Sequence, residues 1–349
     1  MYKLNSKISN LTPYSPITGD YKIRLDANES CFNLPQNILE QIKIAVENID
    51  YNRYPDPYAT ELCKAFADFY GISEKNVTAF NGSDELITLL MTTFMMSGET
   101  LVTVEPDFSM YRFYTTLAEL NCVSAPKKAD LSIDIDVVIK TVKENNARGV
   151  IFSNPCNPTS KGISREEVIK LITSVDALVI LDEAYMDFWD ASILDLVNSY
   201  DNLIIMRTAS KAIGAAAIRL GFAVTNEVNS NALKAVKSPY NVNSVSQKIG
   251  TIIYKNKEFL QNRRNTIVSL RENLYNDLKE IECEYPEKLS IVEGCSNFVF
   301  IKTDLSKKIF DFFLSKGIAI RLMNDYIRIT AGTAEENNAV VTLLKEFFS

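Results

Sequence analysis

The 349-residue sequence contains no histidine. This absence excludes hydrolysis by a Ser-His-Asp triad, zinc sites with histidine ligands, and any histidine general base. Proton transfer in an active site would therefore depend on lysine and carboxylate side chains.

Paired cysteines, long apolar runs and excess positive charge are also missing. The six cysteines form no C-x-x-C pair and follow no signal-peptide pattern, so we expect reduced thiols in a cytoplasmic protein. No apolar stretch reaches the roughly 20 residues of a membrane-spanning helix, so no membrane partner is expected. The net charge of −7 argues against nonspecific binding to nucleic acid.

The hydrophobic content of 46% and the length suit a globular enzyme with one large and one smaller domain. Helical patterns alternate with short apolar runs in the first two thirds of the chain, which predicts an α/β fold with a mostly parallel sheet between helices. The helical patterns cover 35–48, 59–70 and 86–96. The apolar runs cover 77–80, 101–104, 150–152, 178–181, 203–206 and 221–224.

The last third of the sequence predicts a separate α+β unit. Positions 245–281 stay helical, long enough for one helix that bridges two domains. Strand patterns follow at 289–292, 297–301, 318–322 and 326–330, with helices at 307–315 and 335–348. We therefore expect an N-terminal arm (1–34) packed on a small domain (251–349), and a large domain at 35–250.

Lys211 lies among small residues in the segment R-T-A-S-K-A-I-G at 207–214. An amine with so little to pack against is suited to form a Schiff base, and the usual aldehyde partner is pyridoxal 5'-phosphate (PLP). The PLP phosphate needs cations and backbone N–H groups, its ring nitrogen needs a carboxylate, and its phenolic oxygen needs hydrogen-bond donors.

A carboxylate for the ring nitrogen is predicted at Asp182, which follows the apolar run 177–181. Ligands of open parallel sheets lie at the carboxyl ends of the strands, where Asp182 would project and could keep the pyridine nitrogen protonated. Tyr185 could donate to the phenolic oxygen. The alternative is that Asp182 only caps a strand-to-loop turn.

Two further loops have suitable sequences for ligand binding. The two Asn-Pro steps at 154–158 restrict the backbone to an extended loop that can direct Asn157 towards a ligand. The strand, small-residue turn and helix start around 77–86 predict an anion site at the N–H groups of Ser83 and Asp84. The same residue types are also ordinary at helix N-termini.

Together these motifs resemble the fold-type I PLP-dependent aminotransferases, and within them the histidinol-phosphate aminotransferases. The matching pieces follow the family's order along nearly the whole chain: L-D-A-N-E at 25–29, R-Y-P-D-P at 53–57, G-S-D-E at 82–85, N-P-C-N-P-T at 154–159, D-E-A-Y at 182–185, R-T-A-S-K at 207–211, R-L-G-F at 219–222 and I-R-I-T at 327–330.

The resemblance implies a role for each matching position in the cofactor site. Lys211 would bind the cofactor covalently and move the proton at the substrate Cα, with Asp182 at the ring nitrogen. Asn157 and Tyr185 would hold the phenolic oxygen, and Phe108 would stack on the ring, where the family usually has tyrosine. The expected phosphate ligands are Ser83, Asp84, Thr208, Ser210, Arg219 and, from the partner subunit of a homodimer, Tyr54.

For the substrate, the resemblance implies that Arg328 clamps the α-carboxylate in a bidentate fork. Arg321 is the candidate for a distal phosphate, although the stretch 322–327 is shorter than the family's usual loop. For both arginines the alternative is a solvated charge on a strand edge. Asn28, Tyr14 and Phe32 are further candidate substrate contacts, and packing is the alternative role for Tyr14 and Phe32.

The function implied is an aminotransferase for the histidinol-phosphate:2-oxoglutarate pair: glutamate would give its amino group, 2-oxoglutarate would leave, and the acceptor would be imidazole-acetol phosphate or another aromatic or phosphorylated oxo compound. A lyase of the threonine-phosphate decarboxylase type is the nearest alternative, because it would use the same lysine and aspartate. A non-catalytic aminotransferase-like regulator is a third, but the presence of Lys211 argues against it.

Overall fold

The structure, a computed structural model, describes residues 2–9, 11–13 and 15–349. Its largest element is a seven-stranded sheet with the order β2-β8-β7-β6-β5-β3-β4. Strand β8 runs antiparallel to the other six strands. The strands are β2 (Val77–Asn81), β3 (Thr100–Glu105), β4 (Asn121–Pro126), β5 (Gly149–Ser153), β6 (Leu178–Asp182), β7 (Leu203–Thr208) and β8 (Leu220–Thr225). The predicted fold class is confirmed.

Helices cover both faces of this sheet. Successive strand residues therefore enter different cores: Val179 and Leu181 pack in one hydrophobic cluster, and Ile180 packs in another. Burial on both sides explains why the strands appear as continuous apolar runs in the sequence. The helices of this part of the chain are α2 (Gln36–Glu47), α3 (Thr60–Tyr70), α4 (Gly82–Leu89), α5 (Met110–Leu117), α6 (Ile135–Glu144), α7 (Arg165–Ser174), α8 (Glu227–Val236) and α9 (Ser244–Lys255), after a short α1 (Ser6–Ser9).

The C-terminal part has its own sheet and core. Strands β9 (Ser290–Val292), β10 (Phe298–Lys302), β12 (Arg321–Met323) and β13 (Tyr326–Thr330) form an antiparallel sheet with the order β12-β13-β10-β9. The helices here are α10 (Lys257–Glu284), α11 (Ser306–Ser315) and α12 (Ala334–Phe348). A separate pair joins β1 (Ile23–Arg24) to β11 (Ile318–Ala319), and Leu25 is buried in the C-terminal core. The N-terminal segment thus packs on the C-terminal part, while the domain limits given above stay a prediction.

The expectation of one continuous helix over 245–281 is wrong. Helix α9 ends at Lys255 and α10 begins at Lys257, because Asn256 has φ −90° and ψ 61°. Tyr254 lies in the core of the large sheet, whereas Leu274 lies in the C-terminal core, so the chain changes partners across this break.

The helix expected at 86–96 also differs from the structure. It begins earlier, at Gly82, and its α-helical part ends at Leu89, followed by a π-helical turn over Leu90–Phe94. Within the described ranges, no helix is both long and apolar enough to cross a membrane.

Candidate active site

The predicted site residues converge on one edge of the large sheet. Strands β5, β6 and β7 are parallel and end there, with Ser153 beside Asp182 and Asp182 beside Met206 in register. Strand β8 is antiparallel to β7 and therefore begins at the same edge, just after Arg219. This edge is where ligands of open α/β sheets bind.

Asp182 is a buried carboxylate held by neutral donors. Its Oδ2 accepts a hydrogen bond from the Tyr111 hydroxyl at 2.7 Å, and its Oδ1 accepts one from the Ala184 N–H at 3.0 Å. Burial raises the pKa of Asp182 to about 6, although both hydrogen bonds act to lower it. The carboxylates of Asp107 and Asp84 also act to raise this pKa, and Asp182 makes no ion pair within the described residues.

Lys211 lies just beyond the end of β7, in a tight turn. The Gly214 N–H donates to the Lys211 carbonyl at 3.0 Å, and Gly214 takes a φ of 67°, which favours glycine. The Lys211 Nζ donates to the Ala27 carbonyl at 2.9 Å and lies 5.9 Å from the ring centre of Tyr185. The lysine therefore reaches the same edge as Asp182 and contacts the N-terminal segment.

Tyr185 and Asn28 connect three parts of the chain. The Asn28 side-chain amide donates to the Tyr185 hydroxyl at 2.9 Å, and the Asn28 N–H donates to the Thr330 hydroxyl at 3.0 Å. Thr330 also donates to the Asn28 side-chain oxygen at 3.2 Å. Asn28, expected to contact substrate, is thus engaged in holding Tyr185 against strand β13.

The predicted anion site lies at the start of α4. Gly82 has a φ of 81°, and a side chain there would meet Arg219 at 2.8 Å. The Cα of Gly221 lies so close to the backbone of Gly82 and Ser83 that a Cβ on it would lie 2.6 Å from the Ser83 nitrogen. Both glycines allow backbone N–H groups to approach a ligand. Arg219 and Asp84 form an exposed ion pair of 3.3 Å beside this turn.

Thr208 and Ser210 lie on the other side of that turn. The Ser210 N–H donates to the Thr208 hydroxyl at 3.1 Å, and the two hydroxyls are 3.0 Å apart. The structure therefore brings hydroxyls, N–H groups and one guanidinium together, the donor set that a phosphate group prefers.

Arg328 and Asn157 meet directly. The Arg328 Nη1 donates to the Asn157 side-chain oxygen at 2.6 Å, and its Nη2 donates to the Asp26 carbonyl at 2.7 Å. Arg328 is only 7% exposed, which argues against a solvated charge on a strand edge.

Arg321 is the direct partner of Arg328 in the antiparallel register of β12 and β13. Residues opposite each other in such a pair project on the same face of the sheet. The short stretch 322–327 thus forms a tight hairpin, with Asn324 at φ 51°. This hairpin places Arg321 and Arg328 side by side.

Phe108, Tyr54 and Tyr14 are the remaining predicted site residues. Phe108 follows β3 and contacts Tyr111 edge to face, with ring centres 5.5 Å apart. Tyr54 is 81% exposed and stacks on Tyr240, with ring centres 4.6 Å apart. Tyr14 lies outside the described residues.

Comparison of the sequence with known proteins identifies the family of this chain. The model of "Aminotransferase class I and II" matches residues 20–344. The chain belongs to this aminotransferase family. A relative described as histidinol-phosphate aminotransferase, from Clostridium novyi (strain NT), is 42% identical over 97% of this chain and 95% of its own length.

Solved structures show the same fold. The aminotransferase superposes with a TM-score of 0.86 on the histidinol-phosphate aminotransferase from Sinorhizobium meliloti in complex with pyridoxal-5'-phosphate, at 24% identity and 98% coverage of both chains. It also resembles L-threonine-O-3-phosphate decarboxylase from Porphyromonas gingivalis, with a TM-score of 0.75 and 18% identity over 93% of this chain and 99% of that one. At these identities the likeness concerns the fold alone.

The sequence reasoning missed one residue in direct contact with the site of the aminotransferase. Tyr111 lies in a hydrophobic core and is 1% exposed, but its hydroxyl donates to Asp182. Burial raises the pKa of Tyr111 well above its ordinary value, and the Asp182 carboxylate adds to this, so the phenol stays a donor. A buried tyrosine normally needs a polar partner, which was the available signal.

A buried ion cluster behind the edge was also missed. The Arg207 Nη2 lies 2.6 Å from the Glu183 carboxylate, and its Nη1 lies 2.8 Å from Asp187. The Tyr70 hydroxyl donates to Asp187 at 3.0 Å, and Arg207 lies over the Tyr70 ring. Burial opposes the charge on Arg207, but the two carboxylates raise its pKa. This cluster fixes the backbone that follows Asp182.

Proposed function

We propose that this aminotransferase binds PLP and transfers an amino group between histidinol phosphate and 2-oxoglutarate. The supporting comparison is the 42% identical relative described as histidinol-phosphate aminotransferase, which matches over 97% of the chain. The observation that carries the proposal is the buried, cation-free carboxylate of Asp182 at the same sheet edge as the Lys211 amine.

The residues at this edge fit PLP. A buried carboxylate without a cation is costly on its own, and a protonated pyridine nitrogen would compensate it. The glycine turn at Gly82 and Gly221, with Ser83, Ser210 and Arg219, would hold the phosphate group. Tyr185 and Asn157 would hold the phenolic oxygen, and the Phe108 ring would cover one face.

When bound, PLP supplies an aldehyde that takes up an amine and a ring that accepts an electron pair from the substrate Cα. The Lys211 Nζ would remove the proton at the substrate Cα and return it, since no histidine is available. Asp182 would stay ionised to hold the ring-nitrogen proton, and Tyr111 would stabilise that charge by its hydrogen bond.

The two facing arginines support substrates that carry two anionic groups. Arg328 would bind the α-carboxylate of glutamate or 2-oxoglutarate, and Arg321 would lie near the phosphate of the other substrate.

The deciding experiment is a spectral titration of the cofactor-loaded protein with histidinol phosphate, L-glutamate and threonine phosphate in turn. We expect the first two to convert the bound cofactor to its amine form with release of the oxo product. Release of CO₂ from threonine phosphate without that conversion would instead make the protein a decarboxylase.

The matching variant is Lys211→Ala, which should lower turnover by at least about 10⁴-fold because both nucleophile and proton carrier are lost. Lys308→Ala, an exposed lysine on α11, is the control and should behave as wild type. Near-normal transamination by Lys211→Ala would refute the assignment.

We also propose that the protein is a cytoplasmic homodimer in which Tyr54 completes the partner's phosphate site. Tyr54, Tyr51 and Tyr58 are exposed large aromatic residues in one stretch of chain, and Tyr240 is exposed beside Tyr54. The free thiols of all six cysteines are in line with a reducing compartment. Sedimentation equilibrium of wild type and Tyr54→Ala would test the assembly, and a monomeric wild type would contradict it.

A further inference from the structure

A cavity lies beside the Lys211 turn, where its lining residue Arg263 donates to the Ile213 carbonyl. It has a volume of about 910 Å³ and opens between the start of α2 and the junction of α9 with α10. Apart from Phe32, none of the residues assigned above to the cofactor or substrate lines it. Its charged and aromatic lining side chains are Phe32, Lys255, Lys257, Glu258, Phe259 and Arg263.

Arg263 is an unusual lining residue because it is 5% exposed and has no anionic partner within the described ranges. Its Nη1 donates to the Ile213 carbonyl at 3.3 Å, and its Nη2 donates to the Asn33 carbonyl. The remaining N–H groups of the guanidinium have no acceptor in the part of the chain described here. Burial lowers the pKa of Arg263, since no carboxylate offsets the desolvation of its charge.

The N-terminus of α10 opens into the same cavity. Its first residues, Lys257, Glu258 and Phe259, all line the space, and the N-cap residue Asn256 makes no capping bond from its side chain. The Asn256 amide donates instead to the Ile252 carbonyl at 2.8 Å. The first turn of this 28-residue helix therefore brings to the cavity backbone N–H groups that the N-cap side chain does not satisfy, together with the positive end of the helix dipole.

Most of the charged side chains around the cavity are positive. Lys255 is exposed and makes no ion pair within the described ranges, and Lys257 donates to the Asp68 carbonyl, a neutral acceptor. Glu258 is the one acidic side chain among the described lining residues. Three cationic side chains thus outnumber one carboxylate in the lining, which favours a doubly charged anion over a singly charged one.

We propose that this cavity is a binding site for a small phosphate monoester with an aromatic or alkyl body. The phosphate group would lie between Arg263, Lys255 and the first turn of α10. The organic part would lie against Phe32 and Phe259, and the Arg263 guanidinium already stacks on the Phe259 ring at 4.4 Å. This site adjoins the catalytic edge, because Phe32 also packs against the cluster that contains Tyr185, Ala212 and Phe298, but it does not depend on the identity of the substrate transaminated there.

The test is isothermal titration of the cofactor-loaded protein with phenyl phosphate. Phenyl phosphate can bind at Arg321 and Arg328 in every variant. The result therefore depends on the stoichiometry and affinity of a second binding event, which is binding in the cavity. We expect Lys255→Ala/Lys257→Ala to weaken that event at least about tenfold, by loss of two charges, while turnover stays at the wild-type level. The matched control, Lys248→Ala/Lys279→Ala, removes two lysines from the same two helices and should retain it.

Two additional measurements sharpen the outcome. Arg263→Lys keeps a cation but loses the planar fork, so it should also weaken the second event; if this variant fails to fold, the lysine pair still decides. Benzoate, with one charge, should bind at least about tenfold more weakly than phenyl phosphate. Equal binding of phenyl phosphate by wild type and Lys255→Ala/Lys257→Ala, or equal binding of benzoate, would overturn the proposal.

Discussion

Asp182 and Glu183 are consecutive buried carboxylates with opposite surroundings. Glu183 is 0% exposed and lies 2.6 Å from the Arg207 guanidinium, with the Ser192 hydroxyl as a second donor. Asp182 is 5% exposed and receives only neutral donors, from Tyr111 and the Ala184 N–H. Burial raises the pKa of both groups, but only Glu183 has a cation that opposes the rise.

The difference separates a structural charge from a functional one. A carboxylate that is already paired inside the protein gains nothing from a ligand, and its loss leaves a buried partner unsatisfied. A carboxylate without a cation reduces stability in the free protein and is satisfied only when a positive group arrives. We therefore expect changes at Asp182 to affect activity and changes at Glu183 to affect folding.

Asp182→Asn should give the largest effect. The isosteric amide cannot hold a proton on the cofactor ring, so turnover should fall about a thousandfold, as for the loss of other preorganised electrostatic groups. Steady-state assays with histidinol phosphate and 2-oxoglutarate measure this, with the exposed Asp201→Asn as control. The stability of the cofactor-free protein should not decrease. Turnover within a few-fold of wild type would remove Asp182 from the site.

Glu183→Gln should act on stability instead. The change leaves Arg207 with Asp187 alone, so we expect a loss of about 3 kcal/mol, the lower end of the range for breaking a buried ion pair. Urea unfolding measures this loss. Glu61→Gln, which breaks an exposed pair with Lys248, should cost less than about 1 kcal/mol. A fall in the activity of Glu183→Gln at unchanged stability would contradict the comparison.

Tyr111→Phe should give the smallest effect and a specific pH dependence. Removing its hydrogen bond should raise the pKa of Asp182 further above about 6 and cost about 1 kcal/mol at neutral pH. A carboxyl with a raised folded-state pKa binds more protons when folded, so its stability contribution decreases as pH rises from about 4 to that pKa. In Tyr111→Phe this decrease should extend to higher pH.

Urea unfolding of the cofactor-free protein between pH 4 and 8 tests this expectation. Tyr254→Phe is the control, because the Tyr254 hydroxyl is buried without a partner in the described part of the chain. Asp182→Asn should lack the pH-dependent contribution altogether. Identical pH profiles for wild type and Tyr111→Phe would show that the hydrogen bond does not control Asp182.

Much of the fold could be predicted because burial on both sides leaves a strong local signal. The runs at 178–181 and 203–206 lie inside β6 and β7, and the residues just after them lie at one edge, as strand polarity requires. The break at Asn256 could not be predicted, because no local residue forces it and the chain there changes from one core to another.

The site was predictable where a motif follows a strand and hidden where a helix supplies the contact. Tyr111 is on the buried face of α5, so its sequence context is the same as that of a packing residue. Arg207 lies within β7, and its two carboxylate partners are 20 or more residues away in the chain. Only the tertiary structure brings such charges together.

The N-terminal contacts have a consequence for synthesis of the chain. The Lys211 Nζ donates to the Ala27 carbonyl. Asn28 bonds both to Tyr185 and to Thr330, and Thr330 lies 302 positions after Asn28. A ribosome releases Ala27 and Asn28 before their partners, and the Thr330 contact of Asn28 in β13 can form only 302 residues later. The cofactor pocket therefore reaches its final form only after Thr330 has been synthesised, and a nascent chain that stops before Thr330 would expose an unfinished pocket.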